Sequence, residues 1–169
     1  MRKARPRVAY NILLPIWLLV WWPSPLWLVL VPANYLIDRL VLRWGLKGME
    51  GRDAFCRRHC WKVCLAGFAS DLVGGLLLFG AMLALGEVPG GELADTLAYG
   101  LGFNPFSHVL SLVIVLVAIA VAGLCIFLLD RWILTRAGLA AELARSAALR
   151  LAVITAPWLF LFPSMLLYR

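Results

Sequence analysis

One long apolar run that holds a single acid most constrains what this chain can fold into. From Lys62 to Gly86 the residues are apolar almost throughout, and Asp71 is the only acid among them. As a helix rising about 1.5 Å per residue, this run is long enough to cross the roughly 30 Å hydrocarbon core of a bilayer. We therefore predict a membrane-spanning helix over residues 62–86.

Small residues surround this acid at helical spacing. They occupy two neighbouring edges of the predicted helix and form a helix-packing face of Ala66, Gly67, Ser70, Gly74 and Gly75. Because small side chains let membrane helices approach closely, we expect another helix to pack here. A carboxylate inside the bilayer is costly unless it is protonated, paired or hydrated, so Asp71 should point into the bundle.

The composition predicts one polytopic membrane domain over the whole chain of 169 residues. Hydrophobic residues make up 63% of the sequence, and the mean hydropathy is +0.90. Residues 42–61 and 87–106 are the longest stretches without a predicted span, and both are too short to bury a core of their own. The composition therefore excludes a separate soluble domain within this sequence.

The positions of the charges predict the orientation of the chain. The net charge is +7, yet residues 63–108 hold no Lys or Arg, and the loop after the central span is acidic. Cytoplasmic segments of membrane proteins are rich in bases, so we expect a cytoplasmic N-terminus in a bacterial-type cytoplasmic membrane. The bases before position 63 are Arg2, Lys3, Arg5, Arg7, Arg39, Arg43, Lys47, Arg52, Arg57, Arg58 and Lys62.

The same basic clusters predict the partners of the chain. Bases beside membrane spans attract anionic lipid head groups at the cytoplasmic face. There is no groove-reading motif and no basic stripe on a soluble face, so we expect no nucleic acid. The helix-packing face favours assembly with further copies of the chain or with a partner membrane protein, and no cofactor is expected.

The N-terminal apolar segment, residues 8–43, is too long for one span. As a single helix it would measure roughly 50 Å, and the sequence Trp22-Pro23-Ser24-Pro25 interrupts it. We expect two short helices in a hairpin that either reaches the outer head groups or is re-entrant. The run is much longer than the apolar part of a signal peptide, so we expect no cleavage.

Two further apolar segments, residues 108–129 and 151–168, follow the central span, with a short helix predicted over residues 138–150 between them. The last segment contains Pro157 and Pro163, so it either crosses the membrane or is broken and partly inserted. The predicted fold class is an all-α integral membrane bundle of about four to five segments that includes the proline-broken hairpin.

A weak tandem repeat is also a candidate feature. The sequence of residues 36–62 resembles that of residues 128–154, with one inserted residue. Duplicated halves are a common way to build transporter folds, although any helix that leaves the membrane inward tends to end in charges. The matched positions are Asp38 with Asp130, Arg39 with Arg131, Glu50 with Glu142 and Arg58 with Arg150.

Polar residues inside the predicted membrane region are the candidate functional residues: Asn34, Asp38, Arg39, Asp71, Asp130 and Arg131. Asp71 is the strongest of them, because an acid beside small residues could exchange a proton or hold a cation. It could instead form a hydrogen bond with Asn34, Ser70 or Arg39. The two Asp-Arg pairs lie at the predicted inner interface, where we expect them to act as structural staples between helices.

Three cysteines lie on one face of the helix that leads into the central span. Cys56, Cys60 and Cys64 are spaced four apart, and His59 is close to them. Soft ligands at this spacing are weak candidates for binding Zn or Cu(I), but they do not complete a four-ligand site, and no CxxC motif occurs. Small packing residues or acylation sites are the alternative, and reduced thiols are expected here and at Cys125.

Catalytic signatures are absent from the sequence. It contains no GxSxG, HExxH, Walker A or EF-hand spacing, and Asp38, Asp71 and Asp130 lack the clustering expected of a lipid phosphotransferase. His108 is interpreted as a helix N-cap or interface residue rather than a catalytic base. We therefore do not expect an enzyme.

Three classes of function remain. The first is a non-enzymatic subunit or scaffold that packs against partner membrane helices, because the helix-packing face is the strongest recognition feature. The second is a small proton- or cation-coupled carrier or channel that uses Asp71 in an oligomeric bundle. The third is a thiol redox or metal-handling membrane protein.

Overall fold

The computed structural model describes residues 27–86 and 91–168, without the side chains of residues 167 and 168. Within these ranges the chain is all-helical, as predicted. Its α-helices there are α1 (Trp27–Gly45), α2 (Arg52–Gly86), α3 (Glu92–Gly102), α4 (Val109–Arg136) and α5 (Ala141–Ile154). Short 3-10 turns are formed by Pro105–Ser107, Trp158–Leu161 and Ser164–Tyr168.

Helical segments long and apolar enough to cross a membrane are found at three places in the described chain: Arg52–Gly86, Val109–Arg136 and Ala141–Leu161. Large apolar side chains also lie on the outer surface, and Leu83 and Val109, for example, are 58% and 76% exposed. A helix bundle that faces lipid requires such a surface, because bilayer hydrocarbon is as apolar as these side chains. These segments are typical of a membrane protein.

Four of the helices pack in a ring. α1 packs against α2 and α5, and α4 packs against the same two helices, so α1 and α4 lie diagonally across the ring. Small residues permit the close approaches. A Cβ added to Gly45 of α1 would lie 3.2 Å from Ala147 of α5, and one added to Gly74 of α2 would lie 3.1 Å from the Cβ of Ala122 in α4.

The two ends of the ring differ in charge. The connectors from α1 to α2 and from α4 to α5 lie at one end, which we call the basic end because Arg43, Lys47, Arg52 and Arg136 lie there. The opposite end, the acidic end, carries α3 with Glu92 and Asp95.

An apolar cluster fills the interior near each end. The basic-end cluster joins residues of α1, α2, α4 and α5, among them Leu42, Leu46, Cys56, Cys60, Ile126, Leu134 and Leu151. The acidic-end cluster contains Leu78, Leu101, Val115, Ala118, Ile119, Ala156 and Phe160. Burying these side chains against one another fixes the relative positions of the helices, because packed interiors have few voids.

The helices extend beyond the predicted spans. α2 begins at Arg52 rather than at residue 62, because the basic residues after Arg52 continue the helix without a breaker. α4 likewise continues past residue 129 to Arg136 and ends before Gly138, which has φ +95°. Both extensions lie at the basic end.

One other part of the chain differs from the predictions, and the last apolar run follows one of its two predicted alternatives. The acidic loop after the central span contains α3, whose Ala94 and Leu97 pack inward and give the loop its own helix. The last apolar run is broken: α5 ends at Ile154 and Pro157 starts a 3-10 turn, because proline cannot continue the helical hydrogen bonds.

The first arm of the predicted hairpin and its Pro-Ser-Pro break lie outside the described residues, whereas α1, which contains Pro32, corresponds to the second arm.

The broken C-terminal segment still reaches the acidic end. The Ser164 hydroxyl donates a hydrogen bond of 2.9 Å to the carbonyl of Gly102, at the end of α3. The backbone N–H of Met165 donates to the carbonyl of Phe103 at 3.3 Å. The segment from Ala141 onward therefore runs the length of the bundle, from the basic to the acidic end.

Candidate functional site

Three aspartates from three different helices come together inside the ring. Asp38 of α1 lies close enough to Asp71 of α2 and to Asp130 of α4 for their charges to interact, so Asp38 is the central member. Asp38 is 2% exposed and Asp130 is 1% exposed. We call these three residues the aspartate ladder.

Exposed tryptophans provide a reference level at the basic end. Trp44, Trp61 and Trp132 are 54%, 51% and 54% exposed. A cation lies over each ring: Arg150 at 4.6 Å from the Trp44 ring, Lys62 at 5.6 Å from Trp61 and Arg136 at 4.4 Å from Trp132. Tryptophan beside a basic residue is typical of the boundary between lipid and water, so this tryptophan belt indicates an interface.

The three aspartates lie at different depths below the belt. At a rise of about 1.5 Å per residue, Asp130 lies about 3 Å along α4 from Trp132, and Asp38 lies about 9 Å along α1 from Trp44. Asp71 lies about 15 Å along α2 from Trp61, which is half of a roughly 30 Å hydrocarbon core. The ladder therefore descends from the basic end to the middle of the bundle.

All four helices of the ring supply polar groups to this site. The Cys64 thiol of α2 and the Thr155 hydroxyl at the end of α5 are neighbours of the Asp38 carboxylate. Gly67 gives that carboxylate room, since a Cβ added there would lie 4.0 Å from Oδ2 of Asp38. Because Gly67 has no side chain, the α2 backbone can lie next to an acid of α1.

Four of the six carboxylate oxygens of the ladder lack a hydrogen-bond partner in the described part of the chain. Oδ2 of Asp38, Oδ1 of Asp71 and both carboxylate oxygens of Asp130 are buried without a hydrogen bond to any described residue. An unpaired buried carboxylate is strongly unfavourable, and neighbouring carboxylates repel each other when both are ionised. The site can therefore be stable only when protons or a cation neutralise part of its charge.

The three aspartates are spaced along the bundle and do not converge on a single metal ion. Among the described residues, no group of three or more His, Cys, Asp or Glu side chains is placed to hold a metal ion together. Small monovalent ions and protons move between single carboxylates, whereas structural Zn sites need about four converging ligands. Each aspartate can therefore hold a proton or a small cation separately.

The other predicted polar residues take little part in the ladder. Arg131 is exposed, and Nε of Arg39 is buried without a hydrogen-bond partner. Within the described ranges neither Asp-Arg pair forms an ion pair, and both ion pairs present there use Asp53. The structural-staple role of these pairs stays a prediction without an ion pair to support it. Asn34 is half-buried and forms no hydrogen bond with Asp71.

The helix-packing face is buried within the chain itself. Ala66, Gly67, Ser70, Gly74 and Gly75 are all buried residues of α2. The Ser70 hydroxyl donates a hydrogen bond of 2.7 Å to the carbonyl of Ala66 rather than to Asp71. Neighbouring helices of the same chain thus cover the face that was expected to attract a partner.

The cysteines behave as packing residues. Cys56 and Cys60 are fully buried in the basic-end cluster, and Cys64 is 5% exposed. The Cys60 thiol donates to the carbonyl of Tyr35 at 3.7 Å, and all four cysteines of the chain are free thiols. His59, in the first part of α2, has its ring centre 4.5 Å from that of Phe55.

His108 caps a helix, as predicted. Its Nδ1 accepts a hydrogen bond of 3.1 Å from the backbone N–H of Leu110 in the first turn of α4. This interaction satisfies one of the free N–H groups at the start of the helix. His108 lies at the acidic end, remote from the aspartate ladder.

Sequence spacing alone did not bring the three aspartates together, because it showed only that they lack the clustering expected of a lipid phosphotransferase. Asp38, Asp71 and Asp130 are distant in sequence and meet only because α1, α2 and α4 pack in one ring. The repeated Asp-Arg motif was the available signal, since duplicated helices place equivalent residues symmetrically.

Comparisons with protein-family models, curated proteins and solved structures found no match, so function is argued from this site.

Proposed function

We propose that this protein is a small multi-pass membrane carrier or channel for protons or small cations, and that the aspartate ladder holds the moving ion. The observation that carries this proposal is the set of buried carboxylate oxygens of Asp38, Asp71 and Asp130 without a partner in the described chain. Intramembrane acids that line an ion path are a recurring feature of pumps and transporters.

The route from the basic end supports ion entry from one side. Asp130 lies near the tryptophan belt, Asp38 follows it and Asp71 lies deepest, so each step brings an ion about 6 Å farther along the bundle. Beyond Asp71 the acidic-end cluster, which includes Leu78, Val115 and Phe160, fills the interior with apolar side chains. Transport would therefore require this cluster to open.

The proposed setting follows from the distribution of charge. We place the protein in a bacterial-type cytoplasmic membrane with its N-terminus and basic end in the cytoplasm, because bases concentrate on that side. Anionic lipids are the proposed partners there, and an oligomeric bundle is the proposed assembly.

A subunit or scaffold role is less well supported than transport. Its main argument was the helix-packing face of α2, and that face is buried against helices of the same chain. A thiol redox or metal role has the same difficulty, because Cys56 and Cys60 are fully buried. A purely structural role, in contrast, would not explain why carboxylate oxygens of the aspartate ladder are buried without hydrogen-bond partners.

Infrared difference spectroscopy of the purified protein tests whether the ladder holds protons. We expect a carbonyl stretching band of protonated, buried carboxyl groups that disappears as the pH rises and weakens in Asp38→Asn, Asp71→Asn and Asp130→Asn. The matched control is Asp95→Asn, which changes an exposed acid at the acidic end and should leave the band unchanged. Absence of any protonated carboxyl band that the three Asp→Asn variants weaken, with no effect of Na⁺ or K⁺ on the spectrum, would overturn the proposed site.

A flux assay tests transport itself. Proteoliposomes that contain a pH-sensitive dye are given a membrane potential, and proton, Na⁺ and K⁺ movement is compared between the wild type and the same variants. We expect flux of at least one of these ions, lowered at least tenfold by Asp71→Asn and unchanged by Asp95→Asn. Absence of flux for all three ions would contradict the carrier proposal, even if the ladder binds protons.

A further inference from the structure

A second candidate site lies at the basic end, between α2 and α4. It is a cleft of about 240 Å³ lined by His59, Lys62, Trp132, Ile133, Arg136 and Ala137. We call it the basic cleft. Its walls come from the N-terminal part of α2 and from the C-terminal end of α4.

The cations of the basic cleft have no acidic counterpart. In the described ranges the ion pairs are Arg43 with Asp53 and Arg52 with Asp53, so neither Lys62 nor Arg136 has an acid within 4.0 Å. Asp130, the nearest acid along α4, is 1% exposed inside the ring. Nδ1 of His59 is also buried without a hydrogen-bond partner.

The guanidinium of Arg136 is held in position by the neighbouring tryptophan. Its Cζ lies 4.4 Å from the centre of the Trp132 ring, an arrangement that fixes the planar group beside the cleft. Arginine binds phosphate with two parallel N–H donors, and lysine adds a point charge. A histidine, a lysine and a stacked arginine around a small cleft are therefore suited to a phosphate group.

We propose that the basic cleft binds the phosphate of an anionic lipid head group. The position supports a lipid as the source of this phosphate, because Trp132 belongs to the tryptophan belt and is 54% exposed. Leu128 and Leu129, one turn before Trp132 in α4, are 53% and 39% exposed and offer apolar surface to the acyl chains. The cleft has room for a head group, while the chains remain in the bilayer.

This site differs from the general attraction between bases and an anionic membrane. General attraction depends on the total number of surface bases, and each base contributes similarly. A cleft that binds phosphate depends on Lys62 and Arg136 in particular. The proposal does not rest on the aspartate ladder and could fail or hold independently of it.

Native mass spectrometry with added lipid tests the proposal. Phosphatidylglycerol is titrated into the purified protein, with phosphatidylcholine as the zwitterionic comparison. We expect one tightly retained phosphatidylglycerol, with an affinity about tenfold lower in the double variant Lys62→Gln/Arg136→Gln. The matched control, Arg57→Gln/Arg145→Gln, removes two exposed bases that do not line the cleft and should change the affinity less than twofold.

A second readout follows the cleft directly and guards against misfolded variants. The side-chain NMR signals of His59 should shift when phosphatidylglycerol is added to the wild type and stay unchanged in the cleft variant, whose thermal midpoint should match that of the control. Equal loss of lipid in both double variants would reduce the effect to general attraction and overturn the site. The same shift with inorganic phosphate alone would assign the cleft to a soluble phosphate instead of a lipid.

Discussion

At the scale of single residues, the central acid is Asp38 rather than Asp71. The sequence singles out Asp71 because it interrupts a long apolar run, and a residue in such a run can be recognised without any knowledge of its neighbours. Asp38 lies near the end of its helix and resembles an ordinary interface residue. Its central position depends on the Cys64 and Thr155 side chains beside it and on the nearby charges of Asp71 and Asp130. Such contacts are set by tertiary packing, and no spacing within one helix predicts them.

Gly74 offers the clearest test of the packing between α2 and α4. In Gly74→Ala, the added Cβ would lie 3.0 Å from the Phe160 ring, 3.1 Å from the Cβ of Ala122 and 3.2 Å from the carbonyl of Ala118. We expect the variant to lose about 1–3 kcal/mol of unfolding free energy, since α4 must move away. Thermal unfolding in lipid nanodiscs measures the change.

Gly80→Ala is the matched control for this substitution. It lies on the same helix and has nothing within 4 Å of an added Cβ. Alanine should stabilise the helix there by up to about 1 kcal/mol. If the two variants unfolded at the same temperature, the close packing of α2 on α4 at Gly74 would be wrong.

At the scale of elements, the α1–α2 and α4–α5 hairpins occupy equivalent places in the ring. Asp38 and Asp130 are both buried, and so are Leu42 and Leu134, one turn later in each helix. α1 and α4 lie diagonally, as a duplicated pair would. The common origin of the two halves stays a prediction, but their similar burial pattern agrees with it.

The existence of the helices was easier to predict than their limits. Apolar runs identified α2 and α4, because the bilayer requires long helices. The start of α2 at Arg52 was not predicted, since a basic amphipathic segment reads equally well as a connector. α3 was missed for a similar reason: its inward face consists of small and medium residues such as Ala94 and Leu97, which carry a weak hydrophobic signal.

The cysteine face of α2 yields a prediction about a whole helix. Cys56 and Cys60 pack at 0% exposure in the basic-end cluster, whereas Cys125 on α4 is half-buried. We expect a maleimide reagent to leave Cys56 and Cys60 unmodified in the folded protein and to modify both after denaturation in SDS. Peptide mass spectrometry before and after denaturation measures this difference.

Rapid modification of Cys60 in the folded protein would contradict the burial of this face. It would also restore the thiol redox class as a candidate function, because an accessible thiol beside Arg57 and Lys62 could react. Cys125 serves as the internal reference for reagent that enters from the lipid side.

At the scale of the whole molecule, charge and fold together predict the side on which each end of the chain lies. The sequence alone left the location of the C-terminus open, since the last run contains Pro157 and Pro163. The hydrogen bond from Ser164 to Gly102 brings this run to the acidic end, opposite the basic connectors. The C-terminus should therefore lie on the outer side of the membrane.

Reporter fusions test this orientation. Alkaline phosphatase fused after Leu166 should be active, and green fluorescent protein at the same point should be dark. A fusion after Gly138, in the basic connector, should give the opposite pattern, because we propose that the basic end faces the cytoplasm. A fluorescent C-terminal fusion together with a fluorescent fusion at Gly138 would show that the last segment does not cross.

The depth of Asp71 has an electrical consequence. In the proposed orientation, a cation that reaches this residue from the basic end would cross about half of the hydrocarbon core and experience about half of the transmembrane voltage. With about 100 mV, negative inside, this amounts to about 1.2 kcal/mol and lowers the occupancy of the deepest step roughly sevenfold. The aspartate ladder would then act as a voltage-dependent reservoir, which fills from the cytoplasm when the membrane is depolarised and empties when it is energised.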